Sequence, residues 1–137
     1  MIVSFWVGWR RTPWFDSPEV ELHSLPKVSL VVCCRNEEQN LPALLHSIEL
    51  QKYSSFEVIF SDDHSTDRTA ELLALYAARH QNVRIVSPEK SGKKYALQKA
   101  VECAAGELVC CTDADCVLHE NHLLRFAEYY AVTPSDL

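Results

Sequence analysis

Residues 28–48 read VSLVVCCRNEEQNLPALLHSI, and this stretch decides the fold class. Its first part, from Val28 to Cys34, is a near-continuous apolar run, as is typical of a strand buried on both faces of a parallel sheet. The apolar residues that follow recur at helical spacing from Leu41 to Ile48, and Pro42 is tolerated in a first helical turn. The stretch therefore predicts a buried strand followed closely by an amphipathic helix.

The alternation of strand and helix repeats along the rest of the chain. Further strands are predicted at residues 56–60, 83–86 and 108–111, and further helices at residues 69–76, 97–104 and about 119–130. Ser65 or Thr66 is expected to cap the second helix, and Gly106 to end the third. This order predicts an α/β fold with a Rossmann-like parallel sheet and helices on both faces. Ligands of such sheets bind beyond the carboxyl ends of the strands.

Composition excludes several classes of function. The chain of 137 residues has three glycines, Gly8, Gly92 and Gly106, so neither a glycine-rich dinucleotide fingerprint nor a P-loop is present. The net charge is -6 and no basic stripe with interleaved aromatic residues occurs, which argues against nucleic acid as a partner. An acidic protein that binds an anionic ligand usually needs a divalent cation between them.

The six cysteines permit two interpretations. Adjacent pairs end two predicted strands, at residues 33–34 and 110–111, and neighbouring strand residues point to opposite faces of a sheet. This placement favours reduced cysteines that are mostly buried, with a disulfide framework or a zinc site as the alternatives.

Residues 1–26 are predicted to form a hydrophobic or interfacial segment with a linker, and residues 27–137 an α/β domain. The first nine residues are apolar, are too short to span a membrane, and precede Arg10 and Arg11. They resemble either the cytoplasmic end of a membrane helix or interfacial anchor, or a terminus that packs on the domain. The expected location is the cytoplasmic face of a membrane, or the cytoplasm if the segment is not an anchor.

Charged residues follow every predicted strand, and the triplet Asp113-Ala114-Asp115 is the most informative group. Residues two apart on an extended segment face the same side, so both carboxylates are expected to address one ligand. Two such carboxylates repel unless a cation or protons intervene. A divalent ion shared with diphosphate oxygens would resolve this conflict, while a plain surface turn is the alternative.

Four segments together resemble family 2 glycosyltransferases, which have the GT-A fold. The matching segments, within residues 28–130, are Asn36 to Pro42, Asp62 to Asp67, Gly92-Lys93 before Ala96-Leu97, and Asp113 to Asp115. They are similar in order to the family's opening motif, its Asp-Asp-Gly-Ser-Thr-Asp segment, its Gly-Lys-x-x-Ala-Leu-Asn stretch and its metal-binding Asp-x-Asp. The resemblance implies the nucleotide-sugar-binding half of such an enzyme.

The resemblance also implies a role for each matching residue. Asp63 would accept a hydrogen bond from the ring N–H of a nucleobase, and Glu37 would lie near the nucleoside. Asp113 would contact ribose or sugar hydroxyls, and Lys93 would add positive charge beside the phosphates. Asp115 would ligate Mg²⁺ or Mn²⁺ on the diphosphate. The donor would be a nucleotide-sugar, UDP-linked by the family's preference, and the acceptor an unidentified lipid, glycan or protein.

The chain departs from the family pattern at several positions. Cys33 stands where the family has proline, Arg35 where an aromatic residue is common, His64 where glycine is usual and Gln98 where asparagine is usual. The family's catalytic base lies well beyond its Asp-x-Asp, so the resemblance implies a base beyond Leu137. A fragment that binds nucleotide-sugar without activity is therefore an alternative. Residues 113–117 also fit the signature of haloacid-dehalogenase-like phosphatases, with Asp113 as nucleophile and Asp115 as acid.

Overall fold

The computed structural model describes the backbone of residues 2–4 and all of residues 24–132. Within that part, five parallel strands form one sheet in the order β1-β5-β2-β3-β4; three helices connect the strands from β2 to β5, and a fourth follows β5. In chain order the elements are β1 (Ile2–Ser4), β2 (Val28–Cys34), α1 (Leu41–Glu49), β3 (Phe56–Asp62), α2 (Thr69–Ala77), β4 (Val83–Val86), α3 (Lys93–Glu102), β5 (Leu108–Asp113) and α4 (His122–Val132).

Strand β2 lies at the centre of the sheet, which explains its continuous apolar sequence. It pairs with β3 along its whole length, from Val28 opposite Phe56 to Cys34 opposite Asp62. On its other side it pairs with β5, from Val28 opposite Leu108 to Cys33 opposite Asp113. A strand with neighbours on both edges and helices on both faces has no solvated side.

The helices cover both faces, as the sequence predicts. Helices α1, α2 and α4 pack on the face that carries Leu30, Val32 and Phe60. Helix α3 packs on the opposite face, where Ala100 contacts a smaller cluster formed by Val31, Ile59 and Val109. Alternate residues of β2 thus enter different cores because side chains of a strand point alternately to the two faces.

Two predicted helices differ from the structure by two or more residues at both ends, and two predicted strands differ at one end. Strands β3 and β5 each continue two residues past their apolar runs, to Asp62 and Asp113, because the parallel ladder with β2 continues there. Helix α3 begins at Lys93, directly after Gly92, and ends at Glu102. Helix α4 begins at His122 and extends to Val132.

The predicted cap of α2 is wrong. The residue before α2 is Arg68, which makes no capping hydrogen bond through its side chain. The backbone N–H of Thr69 instead donates to Asp67 Oδ1 at 2.9 Å. Ser65 belongs to the preceding turn, where its backbone and hydroxyl both donate to Asp62 Oδ1.

Gly106 does not end α3, contrary to the prediction, because the helix stops at Glu102 with Cys103 as its C-cap. The glycine is required by a close approach of backbones. A Cβ atom on Gly106 would lie 2.7 Å from the nitrogen and Oγ of Ser29, and 2.8 Å from the carbonyl oxygen of Lys27. The backbone just before β5 therefore packs directly against the start of β2.

The described part of the N-terminal segment is strand β1, which pairs in parallel with Leu108–Cys110 at one edge of the sheet. This strand was not predicted from the sequence. Arg10, Arg11 and residues 12–23 of the proposed linker lie outside the described residues, so the domain boundary at residue 27 stays a prediction. Among the helices in residues 24–132, none is long and apolar enough to cross a membrane.

The cysteines are distributed between the core and the surface. Cys34 and Cys110 are buried, Cys33, Cys103 and Cys111 are half-buried, and Cys116 is exposed. All six are free thiols in this structure. Burial raises the pKa of Cys34 and Cys110 to about 12, so both thiols stay protonated at neutral pH.

Candidate functional site

A cleft of about 450 Å³ lies at the carboxyl edge of the sheet, where β2, β3 and β5 end and α3 begins. All five residues that the resemblance implicates line it: Glu37, Asp63, Lys93, Asp113 and Asp115. The remaining lining residues are Cys33, Cys34, Arg35, Gly92, Ala96 and Ala114. A smaller cavity of about 250 Å³ at the amino ends of β3 and β4 contains none of the predicted site residues.

Asp63 directly follows β3, and its backbone N–H donates a hydrogen bond to the carbonyl of Cys34 at 2.8 Å. This bond continues the pairing of β2 with β3 by one residue. Its side chain is buried, at 4% exposure for the residue. The backbone N–H of Gly92 donates to both carboxylate oxygens, at 3.0 and 2.9 Å. Asp63 thus joins the end of β3 to the loop before α3.

The ionisation of Asp63 follows from these contacts. Burial raises the pKa of the carboxyl group, but the hydrogen bonds from Gly92 and from the His64 and Ser91 side chains, with the Arg35 charge, outweigh burial. The net result is a pKa below the usual value, so Asp63 is an ionised acceptor at neutral pH.

The loop before α3 depends on Gly92. Its φ of 133° and ψ of 142° lie in a region that residues with a side chain rarely adopt. This conformation lets the Gly92 N–H face Asp63 while its carbonyl accepts from the N–H of Ala96 at 3.0 Å, opening the helix. Lys93 therefore begins α3 with its side chain at the cleft.

Lys93 and Asp113 form an ion pair across the cleft, with 2.7 Å between Lys93 Nζ and Asp113 Oδ1. Both side chains are largely exposed, at 73% and 58%. The hydrogen bond and charge of Asp113 raise the pKa of Lys93 above its usual value. Because the pair is exposed, its attraction is screened, and either partner can exchange it for a ligand.

Asp113 and Asp115 both line the cleft, but not for the reason expected from an extended segment. The strand ends at Asp113, and a turn follows in which the N–H of Cys116 donates to the carbonyl of Asp113 at 3.1 Å. Ala114 is buried in this turn, while both aspartates are exposed. The turn, rather than strand alternation, brings the two carboxylates to the same cleft.

The cleft offers a metal ion few protein ligands. Within residues 24–132, no three His, Cys, Asp or Glu side chains converge in a way that could hold an ion. Asp113 is paired with Lys93, whereas Asp115 makes no ion pair with another residue of the described range. Such a donor set fits Mg²⁺ or Mn²⁺, which are commonly held by one or two carboxylates together with substrate phosphate oxygens.

Glu37 lies in a loop that interlocks with the loop after β3. Its N–H donates to Thr69 Oγ1 at 2.8 Å, and its side chain accepts from Asn40 at 2.8 Å. Next to it, Asn36 accepts a 2.8 Å hydrogen bond from the N–H of Thr66, and the N–H of Glu38 donates to Asp67. These bonds fix the two loops that form one wall of the cleft.

Sequence reasoning missed part of the site. It noted Arg35 only as a departure from a family pattern, whereas the structure places its side chain in the cleft beside Asp63. Cys33 also lines the cleft, and burial raises the pKa of its thiol to about 11, so the thiol is uncharged at neutral pH. Their position in the sequence could have identified them, because both residues lie at the carboxyl end of the central strand, where ligands bind.

Comparison with known proteins decides the family. The family model described as Glycosyl transferase family 2 matches residues 29–137, which is most of the chain. The chain belongs to glycosyl transferase family 2. Family 2 chains are glycosyltransferases, so the recognition from four short segments is confirmed. The same result leaves the phosphatase alternative without support.

The curated relatives are longer enzymes. The chain is 27% identical over 115 residues to a poly-beta-1,6-N-acetyl-D-glucosamine synthase of Staphylococcus aureus, covering 84% of this chain and 27% of that protein. It is 29% identical over 117 residues to the glycosyltransferase AglE of Haloferax volcanii, covering 83% of this chain and 38% of AglE. The chain thus spans about a third of the length of these relatives.

Solved structures confirm the predicted fold class. The mannosyltransferase PcManGT from Pyrobaculum calidifontis, in complex with GDP-Man and Mn²⁺, superposes with a TM-score of 0.74 at 30% identity, covering 90% of this chain and 37% of that one. Residues 1–349 of S. aureus TarS, in complex with UDP, superpose with a TM-score of 0.70 at 29% identity, covering 80% and 33%. The family 2 chain therefore has an α/β fold similar to GT-A glycosyltransferases.

Proposed function

We propose that the cleft binds a UDP-linked sugar together with Mg²⁺ or Mn²⁺, as the donor site of an enzyme that transfers the sugar to an acceptor. The observation that carries the proposal is the convergence of Glu37, Asp63, Lys93, Asp113 and Asp115 on one cleft at the carboxyl edge of the sheet. Similar structures hold UDP, UDP-GlcNAc, or GDP-Man with Mn²⁺, which supports this class of ligand.

In this proposal the base and the phosphates bind at opposite sides of the cleft. Asp63, an ionised acceptor, receives the ring N–H of the base, and Glu37 lies beside the nucleoside. Lys93 turns from Asp113 toward the diphosphate, which releases Asp113 to bind hydroxyl groups of the ribose or the sugar. This exchange costs little free energy, because the ion pair is exposed and its attraction is weak in water.

Asp115 would hold the divalent ion through a carboxylate oxygen, with the diphosphate supplying further ligands. When bound, the ion would stabilise the negative charge that develops on the leaving nucleoside diphosphate. Lys93 would add a second positive charge beside the same phosphates. These residues bind and activate the donor, and the base that deprotonates the acceptor is proposed to lie beyond residue 137.

The acceptor follows from the resemblance alone, and the location from the apolar residues that precede Arg10 and Arg11 in the sequence. An acceptor hydroxyl on a lipid, a glycan or a protein would attack the anomeric carbon as the bond to the diphosphate breaks. We propose that the protein acts at the cytoplasmic face of a membrane, or in the cytoplasm if its N-terminal segment is not an anchor.

Titration calorimetry with UDP, in the presence of Mn²⁺ or EDTA, tests the donor site. We expect binding that weakens at least tenfold in EDTA, and Asp115→Asn should remove most of this metal dependence because the ion loses its carboxylate. Glu71→Gln, on the exposed surface of α2, is the control and should bind as the parent chain does. A folded sample, verified by circular dichroism, that binds UDP equally with and without metal would contradict the proposal.

A further inference from the structure

The cavity of about 250 Å³ at the amino ends of β3 and β4 is lined by apolar and polar side chains together. Val58 is buried and Phe56 half-buried, and both contribute apolar surface. The polar side chains come from the ends of α1 and α2 and from the loops beside them: Glu49, Ser54, Tyr76, His80 and Asn82. Apolar surface with a few polar groups is typical of sites that bind small organic ligands.

The hydroxyl of Tyr76 is available inside this cavity. Tyr76 is buried, at 8% exposure, yet its hydroxyl makes no hydrogen bond with any residue that the structure describes. Its ring is fixed by an edge-on contact with Phe60 and by stacking on His80, with centroids 6.2 and 4.2 Å apart. Within residues 24–132, Ser61 Oγ is the one side-chain polar atom that is both fully enclosed and unpartnered, so the Tyr76 hydroxyl keeps contact with the cavity. Because buried polar groups are normally paired, this hydroxyl needs a partner from outside the protein.

Glu49 supplies an acceptor beside that donor. His80 Nε2 lies 3.3 Å from Glu49 Oε1, while His46 Nδ1 lies 4.0 Å from Oε2, beyond hydrogen-bond reach. The Oε2 atom therefore keeps free acceptor positions. Burial and the charge of Glu49 raise the pKa of Tyr76 to about 12, so its hydroxyl stays protonated at neutral pH.

The lining groups select a class of ligand. Among the described residues, no lysine or arginine lines the cavity, which argues against an anion beside Glu49. Asn82 donates to the carbonyl of Phe56 at 3.4 Å, which leaves its own side-chain oxygen as an acceptor. Donors and acceptors thus lie together, and a hydroxyl group can satisfy both because it donates and accepts. An ammonium group only donates, so it would leave the donors of Tyr76 and Asn82 without acceptors.

We propose that this cavity binds a neutral hexose unit of a glycan, with Tyr76 donating to one sugar hydroxyl and Glu49 accepting from another. Pockets for drug-sized molecules measure about 300–1,000 Å³, so this smaller cavity has room for a single sugar ring. The site lies at the opposite edge of the sheet from the cleft and requires neither a nucleotide nor a metal ion. It would let the protein stay attached to a glycan independently of the cleft.

Nuclear magnetic resonance of the full ¹⁵N-labelled chain tests the site, with the methyl glycosides of glucose, galactose and mannose as probes. In the absence of nucleotide, at least one probe should bind with millimolar affinity and shift the amide signals of Glu49, Ser54 and His80. The signals of Lys93 and Asp115, which line the cleft, should not move. If none of the probes shifts the signals around the cavity, water alone fills it and the proposal is wrong.

Tyr76→Phe removes the hydroxyl and keeps the ring. Because the hydroxyl has no protein partner, the variant should melt no lower than the parent chain, while its affinity for the bound glycoside should fall about fivefold. Tyr95→Phe is the matched control, since Tyr95 is exposed on α3 and should leave the affinity unchanged. Equal affinities of Tyr76→Phe and the parent chain would overturn the role of the hydroxyl and with it the site.

A charged probe tests the part played by Glu49. Methyl β-D-glucuronide, which carries a carboxylate, should bind at least about fivefold more weakly than the neutral methyl β-D-glucoside, and Glu49→Gln should reduce this difference. Glu102→Gln, on the exposed surface of α3, is the control and should preserve it. Tighter binding of the glucuronide by the parent chain would contradict a site for neutral sugars.

The inference stands apart from the proposed function. Tyr76→Phe should bind UDP with Mn²⁺ as the parent chain does, because Tyr76 does not line the cleft. Failure of the parent chain to bind UDP would overturn the donor site and leave the sugar site in place. Intact UDP binding without any sugar-induced shift around the cavity would overturn the sugar site alone.

Discussion

Gly106 illustrates how a single missing side chain shapes this chain. Its Cα lies so close to Ser29 and to the carbonyl of Lys27 that a methyl group would clash with backbone atoms at 2.7 to 2.8 Å. The same approach lets the Gly106 N–H donate to Ser29 Oγ at 2.8 Å, and Ser29 in turn donates to the buried Glu57. The glycine therefore secures contacts between the starts of β2, β3 and β5.

We expect Gly106→Ala to lower the free energy of unfolding by about 2 kcal/mol or more, because the backbones of two paired strands must separate to admit the methyl group. Urea denaturation, compared at a constant slope, measures this change. Glu89→Ala is the matched control, since its side chain is exposed in the loop before α3 and its effect should stay within about 0.5 kcal/mol. Equal midpoints for the two variants would contradict the predicted clash.

At the same scale, the sequence identifies which residues meet in the cleft but not how they are paired. Asp63 and Asp113 could be predicted to converge because both follow strands of one parallel sheet. The ion pair of Lys93 with Asp113, and the placement of Arg35 against Asp63, depend on how loops of different strands approach each other. The distance between these loops is set by tertiary packing, which cannot be predicted from local sequence patterns.

Among the elements, the end of α1 organises the segment that follows the acidic turn. The N–H of Leu118 donates to the buried Ser47 Oγ, and the N–H of Lys52 donates to the carbonyl of Glu120 at 2.8 Å. Gln51 binds the segment twice, through the carbonyl of His119 at 2.8 Å and the N–H of Leu123 at 3.1 Å. The chain between Asp115 and α4 is thus tethered to a helix that is remote in sequence.

Gln51→Ala should destabilise the protein by about 1–3 kcal/mol, because it leaves the N–H of the fully buried Leu123 without its acceptor. Gln98→Ala is the matched control, since Gln98 is exposed on α3 and contacts Glu102 of the same helix. Thermal unfolding of both variants measures the difference. The tether is not supported if Gln51→Ala melts with the control, or if hydrogen exchange at Leu123 is unchanged.

The boundaries of elements were predictable where hydrophobic periodicity governs them. The central strand is continuous in sequence and in structure, from Val28 to Cys34. The predicted start of α3 was four residues too late, because the helix begins with polar residues at Lys93 and the helical spacing of apolar residues starts later. Its beginning is set instead by the backbone of Gly92 and by the bond from that residue to Asp63.

In the whole molecule, buried carboxylates join elements at both edges of the sheet. At the carboxyl edge, Asp63 connects β3 to the loop before α3 through Gly92. At the amino edge, Glu57 accepts from Ser29 at 2.6 Å and from the N–H of Ala105 at 2.7 Å, which connects β2 and β3 to the loop before β5. Both carboxylates must be ionised for these bonds to have full strength.

The pKa values of these two groups give the stability a defined pH dependence. Burial raises the pKa of Glu57, but the hydrogen bonds from Ser29 and Ala105 and the nearby Lys27 and Arg84 charges outweigh it, so the pKa is lowered overall. The pKa of Asp63 is also lowered. A carboxyl group with a lower pKa in the folded state stabilises the fold above its unfolded pKa, and this contribution is lost as the pH falls through the folded value.

We therefore expect these two groups to have little effect on the melting temperature between pH 7 and about pH 5. Below about pH 4, where they become protonated, the melting temperature should fall steeply. Asp63→Asn should melt lower than the parent chain at pH 7 but lose less stability on acidification, because the variant has one ionisation fewer to reverse. Glu89→Gln, at an exposed position in the loop before α3, should keep the parent's pH profile. Calorimetric melts between pH 7 and pH 2.5 measure all three profiles. If Asp63→Asn loses as much stability on acidification as Glu89→Gln does, the ionised Asp63 does not secure the loop before α3.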